Sequence, residues 1–126
     1  MNERSSVITI DGQEYELLLT TRATKEIGAR YNGLENLGEK LMQSENFEMA
    51  IDEIVWLVTL LANQGIMIHN IRHKDAAKPL LTEEEVEILT LPSDLAQYRE
   101  AISEALVKGT RRNIESEKDP KNAATA

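Results

Sequence analysis

Two short runs of apolar and polar residues in near alternation open the chain. Val7-Ile8-Thr9-Ile10 and Tyr15-Glu16-Leu17-Leu18-Leu19 flank Asp11-Gly12, the dipeptide most favourable to a two-residue hairpin turn. Pairing Ile10 with Gln13 sets Ile8 opposite Tyr15 and gathers Ile8, Ile10, Tyr15, Leu17 and Leu19 on one face. Thr9, Glu14 and Glu16 take the other face, with Val7 and Leu18 as its only apolar members. The pattern predicts a hairpin over residues 7–19 with one face covered and one wet. Two strands are too few to hide their own edges, so those edges count as surface open to pairing.

The apolar period then changes from two to 3.6. Ala23, Ile27 and Tyr31 predict a helix over about 21–31, capped by Thr20 or Thr21 and stopped at Asn32-Gly33, where Gly33 supplies left-handed backbone. Leu34, Leu37 and Leu41 predict a shorter helix over 34–43, with Gly38 an unfavourable interior residue. Asn46 is a good N-cap for a helix whose first part, Phe47 to Gln64, is apolar almost all round. That is the central helix. Gly65 admits two readings, a cap or an interior position. Continuation to Arg72 is preferred, because no turn cluster comes before Lys74-Asp75. It places Leu57, Leu61, Gln64, Ile68 and Ile71 on one stripe of a helix over 47–72.

Thr82-Glu83-Glu84-Glu85 is a capping box and opens a short helix over 83–90, with Val86 and Leu89 inward. Beyond Leu91-Pro92, Ser93 caps a last helix over 94–114 whose stripe is Leu95, Tyr98, Ile102, Ala105 and Leu106. Residues 116–126 carry no apolar period and read as a disordered tail. The fold class is α+β, mostly α: an N-terminal β-hairpin packed on a body of four to five helices, in a single domain over 1–115.

Composition narrows the function classes. With 41% hydrophobic and 29% charged residues the chain reads as soluble and globular, and its scarce aromatics require an aliphatic core. A net charge of −8 disfavours nucleic acid as a partner. No cysteine is present, which removes disulfides and thiolate metal sites and suits a reducing cytoplasm. The N-terminus is polar and does not read as a signal peptide. The continuous apolar run Ile54–Ala62 is too short to span a bilayer, so no membrane is expected.

Catalytic signatures are missing. His69 and His73 have the i, i+4 spacing of a metal pair, but no third ligand accompanies them, so they read as two polar residues on a helix. Glu83, Glu84 and Glu85 belong to the capping box, not to paired-carboxylate chemistry. Gly28, Gly33 and Gly38 follow no strand and form no phosphate loop. Neither an enzyme nor a cofactor is expected. Trp56 and the methionines suit a core and also an adaptable contact surface.

Three segments resemble the tail assembly chaperones of long-tailed phages and prophages of Gram-positive bacteria. They are ITIDGQEYELLLTTRATKEI (Ile8–Ile27), VWLVTLLANQGIMIHN (Val55–Asn70) and the region from Leu81 to Asn122 that opens LTEEEVEIL. The resemblance implies a hairpin followed by a helical body, location in the bacterial host cytoplasm, and binding to the tape-measure protein during tail-tube assembly. It implies the tail-tube protein as a further partner, and a homo-oligomer is also considered. Such proteins are often made in two lengths by frameshifting, and Asp119-Pro120-Lys121 is compatible with a slippery codon run. Candidate partner contacts are Trp56, Met67, Ile68 and Ile71 on the central helix and Tyr98, Ile102 and Leu106 on the last. The alternatives are a structural virion component, such as a tail-tube or head–tail connector subunit, and, less favoured, a small metal-dependent enzyme.

Overall fold

A computed structural model describes residues 5–37 and 47–118, with side chains at 47–50 and 111–118 left aside. Strands β1 (Ser5–Ile10) and β2 (Gln13–Leu18) form an antiparallel pair. Ile10 pairs with Gln13 and Ile8 with Tyr15, the register expected from the alternation. Asp11 (φ 52°) and Gly12 (φ 80°) both take positive φ, as a two-residue turn matching strand twist requires.

Helix α1 (Thr21–Tyr31) starts at Thr20, whose hydroxyl accepts from the Ala23 amide at 3.1 Å. It ends one residue earlier than Gly33 would place it: Asn32 takes the left-handed conformation (φ 65°), and Gly33 comes next at φ 125°. Asn is the residue after Gly that tolerates this region best. Residues 34–37 are helical, and Leu37 is buried. The rest of the expected 34–43 helix, together with the Asn46 cap, lies outside the described residues.

Helix α2 (Phe47–Arg72) is a single helix of 26 residues that passes through Gly65. Helix α3 (Glu83–Leu89) has the expected capping box, Thr82 and Glu85 bonding each other's backbone amides. Val86 points into the core, but Leu89 does not and is 43% exposed. With seven residues α3 lays only one side chain inward.

Helix α4 (Pro92–Lys118) begins two residues before the expected start. Pro92 occupies the first turn, where its missing N–H costs nothing. The Asp94 carboxylate accepts from the Leu91 amide at 2.9 Å, so the cap is built from Leu91 and Asp94, and Ser93 lies inside the helix. At its other end α4 runs to Lys118, into the segment expected to be disordered, whose remainder, 119–126, lies outside the described residues.

The α+β class, mostly helical, is as expected. Helices α2 and α4 pack on each other, α2 also against β2 and α4 against β1. Ile8, Ile10 and Leu17 from the hairpin meet Leu57, Val58 and Leu61 from α2 and Leu95, Tyr98, Ile102 and Ala105 from α4 in one buried cluster.

Two expectations about the hairpin are corrected by this packing. The face expected to be wet is wet only near the turn: Ser5 and Leu18, on that face, are fully buried at the open end of the hairpin. Nor are the edges wholly free. In a ladder that starts at Ile10–Gln13, the carbonyls of Ser5, Thr9 and Glu16 point away from the partner strand. Helix α4 satisfies the first two, Tyr98 Oη donating to Thr9 O at 2.7 Å and Lys108 Nζ to Ser5 O at 2.9 Å. Helix α2 closes on the third at Gly65, where an added Cβ would stand 3.2 Å from Glu16 O. The β1 edge is thus crossed by α4 and the β2 edge is met by α2 at Glu16, while the Gln13–Glu16 stretch also borders an open cleft.

Candidate partner-binding groove

The stripe predicted on α2 divides at Gly65. Leu57 and Leu61 are fully buried and Gln64 nearly so, Ile68 is half-buried, and Ile71 is 71% exposed. The hairpin and α4 cover the first part. Past Gly65 the flanking elements are the start of α1 and the loop after α2.

That loop is held by two asparagines. Asn63 donates from Nδ2 to Leu81 O (2.9 Å) and accepts the Leu81 amide at Oδ1 (2.7 Å). Asn70 makes the same pair of bonds with Lys78, at 2.9 and 2.8 Å. The spacing has a simple origin. Seven helical residues advance about 10.5 Å, and three extended residues advance roughly 10 Å. Asparagines two turns apart on one face therefore match loop residues three apart, and the loop runs back antiparallel along α2. Both His side chains serve the same turn: His69 Nε2 lies 3.0 Å from Ala76 O, and His73 Nδ1 lies 3.2 Å from His69 O. Among the described residues no three His, Asp or Glu groups are arranged to hold a metal.

The other wall is the N-terminus of α1. Gln64 is buried, donates to Leu60 O at 3.0 Å and accepts from the Thr20 hydroxyl, tying the cap of α1 to α2. Arg22 reaches over to Met67 Sδ at 3.8 Å. Between these walls lies an open, mainly apolar groove of about 610 Å³ lined by Arg22, Met67, Ile68, Asn70, Ile71 and Leu80, with the Thr20–Gln64 contact beneath. Leu80, held in place by the asparagine clamps on either side, is 45% exposed. A second cleft, of about 470 Å³, lies between the Gln13–Glu16 part of β2 and Lys78–Leu81. It mixes Glu14, Glu16 and Glu85 with His69 and Lys78.

Of the seven candidate contacts, Met67, Ile68 and Ile71 come together in the groove. Tyr98 and Ile102 lie elsewhere, in the chain's own core at 4% and 0% exposure, facing the hairpin. Only displacement of the hairpin would expose them to a partner. Burial and the nearby Asp94 carboxylate raise the Tyr98 pKa above its usual value of 10.0. Leu106 is half-buried against the core. Trp56 is half-buried at the far end of α2, edge-on to Tyr31 with centroids 6.0 Å apart and the Arg30 guanidinium 4.3 Å over its ring. Arg30 and the Tyr31 hydroxyl both meet Glu53 there, so Trp56 is enclosed in contacts of this chain.

Sequence reasoning missed Leu80 and the asparagine clamps. The only available signal was Asn63 and Asn70, one helical face apart by two turns, ahead of a polar loop. By length and composition Ile51–Arg72 is also sufficient to cross a membrane, although the continuous apolar run within it is much shorter. Core helices meet the same criterion, and the first half of α2 is core. Compared with family models, curated proteins and solved structures, the chain matches none.

Proposed function

We propose that this chain is a non-enzymatic assembly chaperone for the tails of long-tailed phages or prophages of Gram-positive bacteria. It acts in the host cytoplasm and holds a helical segment of the tape-measure protein, with the tail-tube protein as a further partner. Neither nucleic acid nor membrane has a part in this role. The observation that carries the reading is the open, mainly apolar groove of Met67, Ile68, Ile71 and Leu80 along α2, the kind of surface on which the apolar face of an amphipathic helix docks. The likeness of three sequence segments to such chaperones supplies the identity of the partner. A tail-tube or connector subunit would more readily use a hairpin edge to join a ring, and the α4 and Gly65 contacts along those edges weigh against that use.

The test is co-expression with the neighbouring tape-measure gene and affinity capture. Wild-type protein is expected to bring the tape-measure protein with it, and Ile71→Asp to reduce recovery about tenfold, a loss of roughly 1.4 kcal/mol. Absence of the tape-measure protein from the wild-type capture would end the proposal. Purified virions separate the two phage roles: a chaperone is absent from them and a connector stoichiometric.

A further inference from the structure

The second cleft lies on a stretch of strand edge that the helices leave open. In the ladder that starts at Ile10–Gln13, the backbone N–H and C=O of Glu14 point away from β1, just as those of its partner Thr9 point away from β2, toward Tyr98. No hydrogen bond among the described residues reaches the Glu14 backbone, and Gln13, Glu14, Tyr15 and Glu16 border the cleft of about 470 Å³. Across it stands Lys78–Leu81. This stretch of loop faces β2 and does not pair with it. Asn70 takes both backbone groups of Lys78, Asn63 takes both of Leu81, and Pro79 has no N–H to give. The clamps that hold the loop to α2 thereby leave the strand edge without a neighbour.

The side chains that line the cleft are unequal in charge. Glu14 and Glu16, two residues apart on one face of β2, and Glu85 of α3 stand against Lys78, with His69 beside them. Glu16 accepts from the Ser5 hydroxyl at 3.1 Å and Glu85 from the Thr82 amide at 2.9 Å. Among the described residues no ion pair includes any of the three carboxylates. Tyr15, Ala62 and Ile66 supply apolar lining. A second copy of the hairpin is a poor fit. Edge to edge on β2, it sets Glu14 and Glu16 against the same two carboxylates of its neighbour, and like charges facing each other across strands repel.

We infer that the cleft takes an extended segment of a partner protein, added as a third strand beside β2, with Lys or Arg at alternate positions. The residue opposite Glu14 exchanges both backbone hydrogen bonds with it, at the usual strand spacing of about 4.8 Å. The side chains of that residue and of the one two positions away lie on the face of Glu14 and Glu16, which makes them the cations. The residue between them lies on the face of Tyr15, where a small apolar side chain fits. The ladder is short, because α2 reaches Glu16 O at Gly65. Backbone bonds supply the hold, and the carboxylates supply the choice of sequence. A single strand enters between β2 and the clamped loop, whereas the sheet of another subunit does not, so this use of the edge differs from ring assembly. The inference rests on this cleft alone and holds whatever occupies the groove of Met67, Ile68, Ile71 and Leu80.

The probe is a fluorescent, end-blocked synthetic peptide that alternates lysine and valine. It is titrated into the purified chain at low salt and followed by anisotropy and by amide exchange at Glu14. The peptide is expected to bind and, at saturation, to slow Glu14 exchange about tenfold or more. Glutamate in place of lysine is expected to abolish binding. Methylating the backbone nitrogens of the lysines keeps the charge and removes the donors, and is expected to weaken binding about tenfold. Glu14→Lys alters an exposed position, and circular dichroism is expected to show it folded as wild type. This variant is expected to bind the lysine peptide about tenfold more weakly and the glutamate peptide better than wild type does. No binding by the lysine peptide would overturn the inference, as would unchanged Glu14 exchange in its complex or undiminished binding to Glu14→Lys. Equal binding of the methylated peptide would reduce the contact to charge attraction without a strand, and overturn it too. Slower Glu14 exchange as the protein alone is concentrated would give the edge to a second copy instead.

Discussion

The two halves of α2 are made of similar residues and have different fates. Ile54, Val55, Leu57, Val58 and Leu61 are all buried, whereas Met67 and Ile68 are half-buried and Ile71 stands in the open. The helix itself does not change character at Gly65. What changes is its surroundings: up to Gly65 the hairpin and α4 press on it, and beyond Gly65 the face of Met67, Ile68 and Ile71 has, among the described residues, the α1 cap and the clamped loop beside it. Apolar character therefore does not separate core from contact surface in this helix. Position along it does.

The largest expected effect lies on the buried side. Leu61→Ala should destabilise by about 2–5 kcal/mol in a denaturant titration, since the site is walled by packed neighbours and leaves a cavity. The same truncation at Ile71 should fall within about 0.5 kcal/mol of wild type. Equal losses at the two sites would erase the distinction between the halves.

A second test concerns how closely the core half is packed. At Gly109 of α4 an added Cβ would lie 2.9 Å from Leu19 Cβ, an atom that cannot swing aside, so Gly109→Ala should cost roughly 1–3 kcal/mol despite alanine's better helix propensity. Gly65 should behave more mildly. Its added methyl would meet the Glu16 carbonyl at 3.2 Å, which a small shift of β2 relieves, so Gly65→Ala should stay within about 1 kcal/mol of wild type.

On the open side, the loop rather than the helix is the sensitive part. Asn70→Ala removes both bonds to Lys78 and should cost about 1 kcal/mol while speeding amide exchange at Lys78. Unchanged exchange would show that the loop holds its course without the clamp.

The smallest effect sought is a pH dependence on the core side. The folded chain raises the Tyr98 pKa, so the unfolded chain loses this proton first. Stability from this group is complete below the unfolded value of about 10 and declines as pH rises from there through the folded pKa. Tyr98→Phe should remove that alkaline decline and cost about 1 kcal/mol at neutral pH through the lost bond to Thr9 O. A decline that persists in the variant would assign it to another group.

Much of this was legible in the chain. Asp11-Gly12 between alternating runs fixed the turn and its register, because a two-residue loop with positive φ leaves no other pairing. The Thr82–Glu85 box and the 3.6-residue stripes located α3 and the buried side of α4. Three of the seven candidate contacts lie together in the groove, and two are core. The stripe on α4 that holds Tyr98 and Ile102 looks, residue by residue, the same as a stripe awaiting a partner.

Local order is thus the part the sequence determined alone: the turn type, the caps of α1 and α3 and the main buried stripe of α1 and α4. These depend on neighbours within a few residues, whose geometry is set by the backbone. The tertiary structure decided which apolar faces are used up inside the chain and which remain for others. Ser5 and Leu18 are buried on a face expected to be wet, and the strand edges are met by Tyr98, Lys108 and Gly65. Those contacts join residues dozens of positions apart, and no periodicity records them. The groove exists for the same reason. It is the length of α2 that the hairpin and α4 do not reach.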